Sequence, residues 1–256
     1  MTAVALVAIV LTLLFVLRVV LQLALFHPDH SIVHGPGREF SYAAHDGSPL
    51  VGYVLEAKDP KHFLIFFHGN TGNASYNREW ISRIAEEDTT VFLPEYRGYG
   101  KSAGFPTPKR IVQDGLAGYD VAMSTLHFDP SRTIVYGESL GGAVAAQVLK
   151  SRRARAAILQ STFTSLHDMA RRVTLLPLTY LLPSGRELNS VEALRGLNIP
   201  VLHLHGERDR TIPFRLGKRL HAALAGPKTW VAFPNAVHSL PTDQVLPHIR
   251  AFLSKL

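Results

Sequence analysis

The run Gly137-Glu138-Ser139-Leu140-Gly141-Gly142 places a serine between two glycines at the spacing G-x-S-x-G. A serine hydroxyl is a poor nucleophile until a base takes its proton, and a sharp strand-to-helix turn is what lifts it clear of a sheet. The flanks suit that turn: Thr133-Ile134-Val135-Tyr136 reads as a strand, and Gly142-Ala143-Val144-Ala145-Ala146 opens a helix. Acyl transfer at such a serine also needs a base, a carboxylate to orient it, and N–H donors for the oxyanion.

On this kind of elbow the acid and then the base follow the serine along the chain. With 13 His present, position must select the base. His238 lies in the loop 234–241 after a strand, whereas His221 and His248 fall in helical patterns, His203 falls inside a strand and His205 precedes the acid. Asp209 ends the run His205-Gly206-Glu207-Arg208-Asp209 behind the strand 201–204 and is the candidate acid, with Glu207 as its near rival. The equivalent position one strand earlier, Gln160-Ser161-Thr162, offers no carboxylate. The backbone N–H of Leu140 is one expected oxyanion donor. The other is expected from the loop His68-Gly69-Asn70-Thr71-Gly72-Asn73, from Asn70 first and Thr71 second.

These residues need a frame. Apolar runs at 63–67, 91–93, 133–136, 157–159, 201–204 and 230–233 alternate with helical patterns at 75–87, 108–126, 141–150, 214–224 and 242–256. That alternation predicts an α/β fold whose mostly parallel sheet is covered by helices on both faces, with chemistry at the carboxyl ends of the strands. Residues 38–43 and 50–55 alternate around Asp46-Gly47 as an antiparallel hairpin. The stretch 162–198 is long for a connection and carries proline-broken apolar segments with Arg171 and Arg172, which predicts a short cap inserted over the site.

Ahead of this domain, expected over 38–256, lie two other segments. Residues 27–37 are polar and rich in Pro and Gly, as in a linker. Residues 1–26 are apolar apart from Thr12, Arg18 and Gln22 in their body, and lack the basic start and the small-residue cleavage site of a signal peptide. They predict a retained transmembrane anchor, with Arg18 snorkelling to an interface. Arg18 and Arg38 favour the cytoplasm for its C-terminal side.

Composition removes other classes. Without cysteine there is no disulfide framework, thiolate metal site or cysteine nucleophile. The net charge of +7 is scattered rather than drawn into a stripe, which argues against nucleic acid and leaves attraction to an anionic membrane. No H-E-x-x-H spacing marks a metal set, and the glycine-rich loop at 68–73 lacks the G-K-[ST] ending of a phosphate loop. No cofactor or metal is expected.

The motifs Phe67-His68-Gly69-Asn70-Thr71-Gly72-Asn73, Glu95-Tyr96-Arg97-Gly98-Tyr99-Gly100-Lys101-Ser102, Gly137-Glu138-Ser139-Leu140-Gly141-Gly142, His205-Gly206-Glu207-Arg208-Asp209 and His238 together resemble the serine α/β-hydrolase superfamily. Within it the chain is similar to the membrane-anchored Bem46-type branch, grouped with serine aminopeptidase-like hydrolases. The resemblance implies the α/β-hydrolase fold, a Ser139–Asp209–His238 triad, and esters, thioesters or amides as substrates. Where the family usually has Asp before the Tyr-Arg-Gly-Tyr-Gly run, this chain has Glu95. An acidic nucleophile, as in dehalogenases and epoxide hydrolases, is ruled out by Ser139. The resulting expectation is a membrane-located serine hydrolase that cleaves an acyl ester or thioester of a lipid or acylated substrate. The alternatives are a serine peptidase and a non-catalytic tethered scaffold.

Overall fold

The computed structural model describes residues 3–85, 88–170 and 187–256. The chain runs α1 (Ala3–Leu25), β1 (His27–Pro28), β2 (Arg38–Ala43), β3 (Pro49–Leu55), β4 (His62–Phe67), β5 (Thr71–Gly72), α2 (Ala74–Ala85), β6 (Thr89–Leu93), α3 (Pro108–Ser124), β7 (Thr133–Glu138), α4 (Leu140–Leu149), β8 (Ala156–Gln160), α5 (Leu166–Ala170), α6 (Ser190–Ala193), β9 (Val201–Gly206), α7 (Phe214–Ala223), β10 (Lys228–Phe233) and α8 (Thr242–Leu253). Eight strands form one sheet in the order β10-β9-β8-β7-β4-β6-β3-β2. The six from β10 to β6 are parallel, and β3 and β2 add the antiparallel edge.

The near-continuous apolar character of the strands follows from burial on both faces. On β4, Ile65 and Phe67 pack with Ile111 of α3 and Val144 of α4. Its alternate residues, Leu64 and Phe66, pack with Ile81 of α2 and Leu246 of α8. Helix α3 has a sequence-encoded start: Pro108 stands at its first turn, and the Thr107 side chain accepts the N–H of Arg110. The predicted hairpin is β2–β3, closed around Gly47 at φ 81°.

The loop after β6 is pinned by charge. Arg97 is buried and pairs with Asp114 of α3 at 2.6 Å and with Asp46 of the hairpin turn at 2.8 Å. Burial pushes the Asp114 carboxyl up, against the pull of its bonds to Arg97. Asp114→Ala leaves the buried Arg97 with only the half-exposed Asp46 as its carboxylate partner, so it is expected to lower unfolding free energy in urea by about 3 kcal/mol, the low end for breaking a buried pair.

The structure does not show the anchor expected at the N-terminus. Residues 3–25 are helical, and Val4, Leu6, Leu11 and Phe15 are exposed. Among the described residues, however, no helix is long and apolar enough to cross a membrane. The anchor expected over 1–26 is therefore not shown, and the Arg18 side chain lies outside the described residues.

The segment expected as a linker, 27–37, lies on the domain, with β1 paired in parallel to β5. Of the cap expected over 162–198, residues 171–186, including Arg171 and Arg172, lie outside the described residues. Its described flanks meet at a bridge between Ser165 and Asn189, so the insertion leaves and rejoins the domain at one point.

Candidate active site

Ser139 joins β7 to α4 at φ 55°, ψ −117°, a backbone conformation that side chains rarely occupy. It holds the N-cap position of α4 but makes no capping bond, which leaves its hydroxyl for other work. Neighbours over-determine the turn. The Ser139 N–H donates to the Gln160 carbonyl at 2.9 Å, and its own carbonyl accepts the Thr162 hydroxyl at 2.8 Å. A non-glycine residue held in such a conformation costs on the order of 1–3 kcal/mol. Ser139→Gly should accordingly be more stable than Ser139→Ala by about 1 kcal/mol, read from urea midpoints at unchanged slope.

Three segments at the carboxyl ends of parallel strands converge here. His238, after β10, has Nε2 3.0 Å from Ser139 Oγ and Nδ1 2.8 Å from Asp209 Oδ2. The carboxylate can only accept from Nδ1–H, so Nε2 is left to accept the serine proton. The His238 carbonyl is fixed by the hydroxyl of Ser161, 2.9 Å away.

Asp209, after β9, is buried, and its Oδ1 accepts the N–H groups of Thr211 and Ile212 at 2.8 Å each. Its Oδ2 also lies 3.4 Å from His205 Nε2. Burial pushes its carboxyl up, but the bonds from His205, His238 and Ile212 outweigh this and hold it well below the usual carboxylate range. It therefore stays ionised beside His238. Glu207, the rival acid, is exposed, and its N–H bonds to the Phe233 carbonyl.

The expected oxyanion residues flank the serine. Leu140 is the first residue of α4, where backbone N–H groups have no acceptor within the helix. The loop after β4 lies on the other side: a Cβ built on Gly69 would fall 3.4 Å from that of Ser139. Asn70 is clamped by Tyr99, whose hydroxyl donates to its side-chain oxygen at 2.9 Å and to its carbonyl at 3.1 Å. Thr71 belongs to β5 and pairs with His27.

Glu95, where the resemblance led to an expectation of Asp, is buried behind the loop 68–73. Its longer side chain reaches the buried His68 with Oε1 at 2.5 Å and the Ala74 N–H with Oε2 at 2.9 Å, bracing both ends of the 68–73 loop. Glu138, beside the nucleophile, lines a cavity of about 200 Å³ with Asn77, Trp80, Gln160 and Ser239. Burial pushes its carboxyl up, opposed by the His238 charge and by a bond from Gln160. A larger described cavity, about 700 Å³ beside Val54, Glu56 and Ser82, lies at the opposite end of the sheet and holds no comparable constellation.

Ser161, Thr162, Tyr99 and Asn73 are the supporting residues that sequence reasoning did not single out. Asn73 and Tyr99 carried a signal, as members of the Phe67–Asn73 and Glu95–Ser102 motifs.

The family model described as serine aminopeptidase, S33 (Hydrolase_4) matches residues 58–188. An uncharacterized protein of Mycobacterium tuberculosis is 32% identical over 235 residues, spanning 89% of this chain and 83% of its own. The protein bem46 of Schizosaccharomyces pombe is 32% identical over 184 residues, 66% of this chain and 59% of its own. Among solved structures, acetyl xylan esterase 1 from a Thermoanaerobacterium species superposes at a TM-score of 0.71 with 16% identity, covering 89% of this chain and 87% of that one. That last likeness is one of fold.

Proposed function

Because the chain belongs to the serine aminopeptidase (S33) family of α/β-hydrolases, we propose that it is a serine hydrolase that cleaves an acyl ester or thioester through an acyl-serine intermediate. The observation that carries this reading is the Asp209–His238–Ser139 chain of hydrogen bonds on a strained elbow.

His238 Nε2 takes the proton as Ser139 Oγ attacks the acyl carbonyl. Asp209 holds the tautomer and stabilises the imidazolium. The N–H groups of Leu140 and Asn70 stabilise the tetrahedral oxyanion. His238 then protonates the leaving group, and a water activated by the same nitrogen releases the acid and restores the serine. A non-catalytic scaffold has no use for a strained serine with its hydroxyl directed at an imidazole.

Amphiphilic acyl substrates fit best, since α1 presents Val4, Leu6 and Phe15 to its surroundings and the chain is basic. Location at a membrane belongs to the same reading, as does the cytoplasmic face, and carbonate extraction of cell membranes tests the attachment. A panel of p-nitrophenyl esters of increasing chain length, run beside aminoacyl p-nitroanilides, tests the substrate class. The proposal expects the ester series to dominate, with a preference along chain length. Turnover confined to the anilides would instead support the peptidase reading, which the family description favours.

A further inference from the structure

The segment that joins α1 to the domain is fastened to the loop beside the nucleophile. Phe26 is buried in the core, and His27 and Pro28 pair with Thr71 and Gly72. The His27 N–H donates to the Asn70 side chain at 3.3 Å. The Asp29 carbonyl accepts the Gly100 N–H at 2.8 Å, and its carboxylate accepts the Tyr76 hydroxyl at 2.8 Å.

At the centre is Asn73, fully buried and fully used. Its amide nitrogen donates to the carbonyls of Asp29 at 2.9 Å and Ser31 at 2.7 Å. Its oxygen accepts the N–H and the hydroxyl of Ser75. The loop 68–73 is thus held from two sides: the elbow and Glu95 on one, residues 26–31 and Tyr99 on the other.

We infer that residues 26–31 form a strap that positions the 68–73 loop for oxyanion stabilisation, with Asn73 as the pin. The inference rests on the hydrolase reading above. Oxyanion donors act only when held in place before charge develops, and a displacement of about 1 Å can cost 10²-fold in rate. A four-residue stretch with two glycines, Gly69 to Gly72, cannot hold that position alone. The strap supplies the missing backbone and side-chain partners. It also makes α1 and the loop mechanically continuous, so the loop feels how α1 is held.

The test uses the full chain with a p-nitrophenyl ester. Asn73→Asp keeps the acceptor that serves Ser75 but turns an oxygen toward the carbonyls of Asp29 and Ser31. It should lower kcat about 10- to 100-fold with KM within about twofold. It should also speed amide exchange at residues 27–31 and 69–72 while β4 and β7 stay protected. Tyr76→Phe is half-exposed and removes only the hydroxyl on Asp29, so it should fold normally and lower kcat about two- to fivefold. If Asn73→Asp does not fold, Tyr76→Phe and its exchange pattern decide.

Unchanged kcat and unchanged exchange in the variants, with an active parent, overturn the strap. So does a fall in kcat with exchange raised across the whole sheet, which marks general destabilisation. An inert parent overturns the hydrolase reading instead.

Discussion

His238→Ala is expected to lower kcat toward a p-nitrophenyl ester by about 10⁴-fold or more, with KM little changed. The imidazole lies within reach of the Ser139 proton, at 3.0 Å, and its second nitrogen is already committed to Asp209. Removing it leaves a hydroxyl with no acceptor strong enough to activate it at neutral pH. Because the three side chains act as a unit, Ser139→Ala combined with His238→Ala should be hardly worse than either alone. Single-turnover kinetics of the parent and the three variants, at matched folded fraction, check this. A loss below about tenfold for His238→Ala would mean that another base serves the serine.

Gly141→Ala carries the second large effect, on folding rather than turnover. A methyl at this position would overlap the Phe67 carbonyl oxygen and lie 2.5 Å from that of His68. Both are backbone atoms at the end of β4, one of the central strands, so no rotamer change relieves the clash. Either α4 backs away from the sheet or β4 moves, and the core around Phe67 and Val144 opens. The expected cost is more than about 4 kcal/mol, seen as a collapsed urea midpoint or as insoluble protein. Ser139→Gly, two residues away, should move stability in the opposite direction. The contrast separates the two demands of the elbow, close approach of helix to sheet and strain at the nucleophile.

Much of the frame was legible because it is local. β7, the elbow and α4 announce themselves in seventeen consecutive residues, where strand period, glycines and small helix residues follow one another. Asp209 and His238 were legible by position, each in a polar stretch closing an apolar strand, and the structure brings both within hydrogen-bond distance of their partners.

What could not be read is whatever depends on contacts between remote segments. Residues 27–37 have the composition of a linker, but their hydrogen-bonding partners, Asn73, Gly100 and Arg78, are 41 or more positions away. Ser161 looked like an empty acid position, yet it braces the carbonyl of His238 across 77 residues of chain. The role of Glu95 depended on how far its side chain had to reach, which needs coordinates. The anchor expected over residues 1–26 is not shown among the described residues, so the sequence remains its one support.

The account stands on Ser139 being an activated nucleophile. Incubation of the full-length protein with a fluorophosphonate probe, followed by peptide mapping, measures this directly. The predicted result is a single adduct on Ser139 that disappears in Ser139→Ala and forms far more slowly in His238→Ala. No adduct on folded protein, or an adduct that persists in Ser139→Ala, would contradict it.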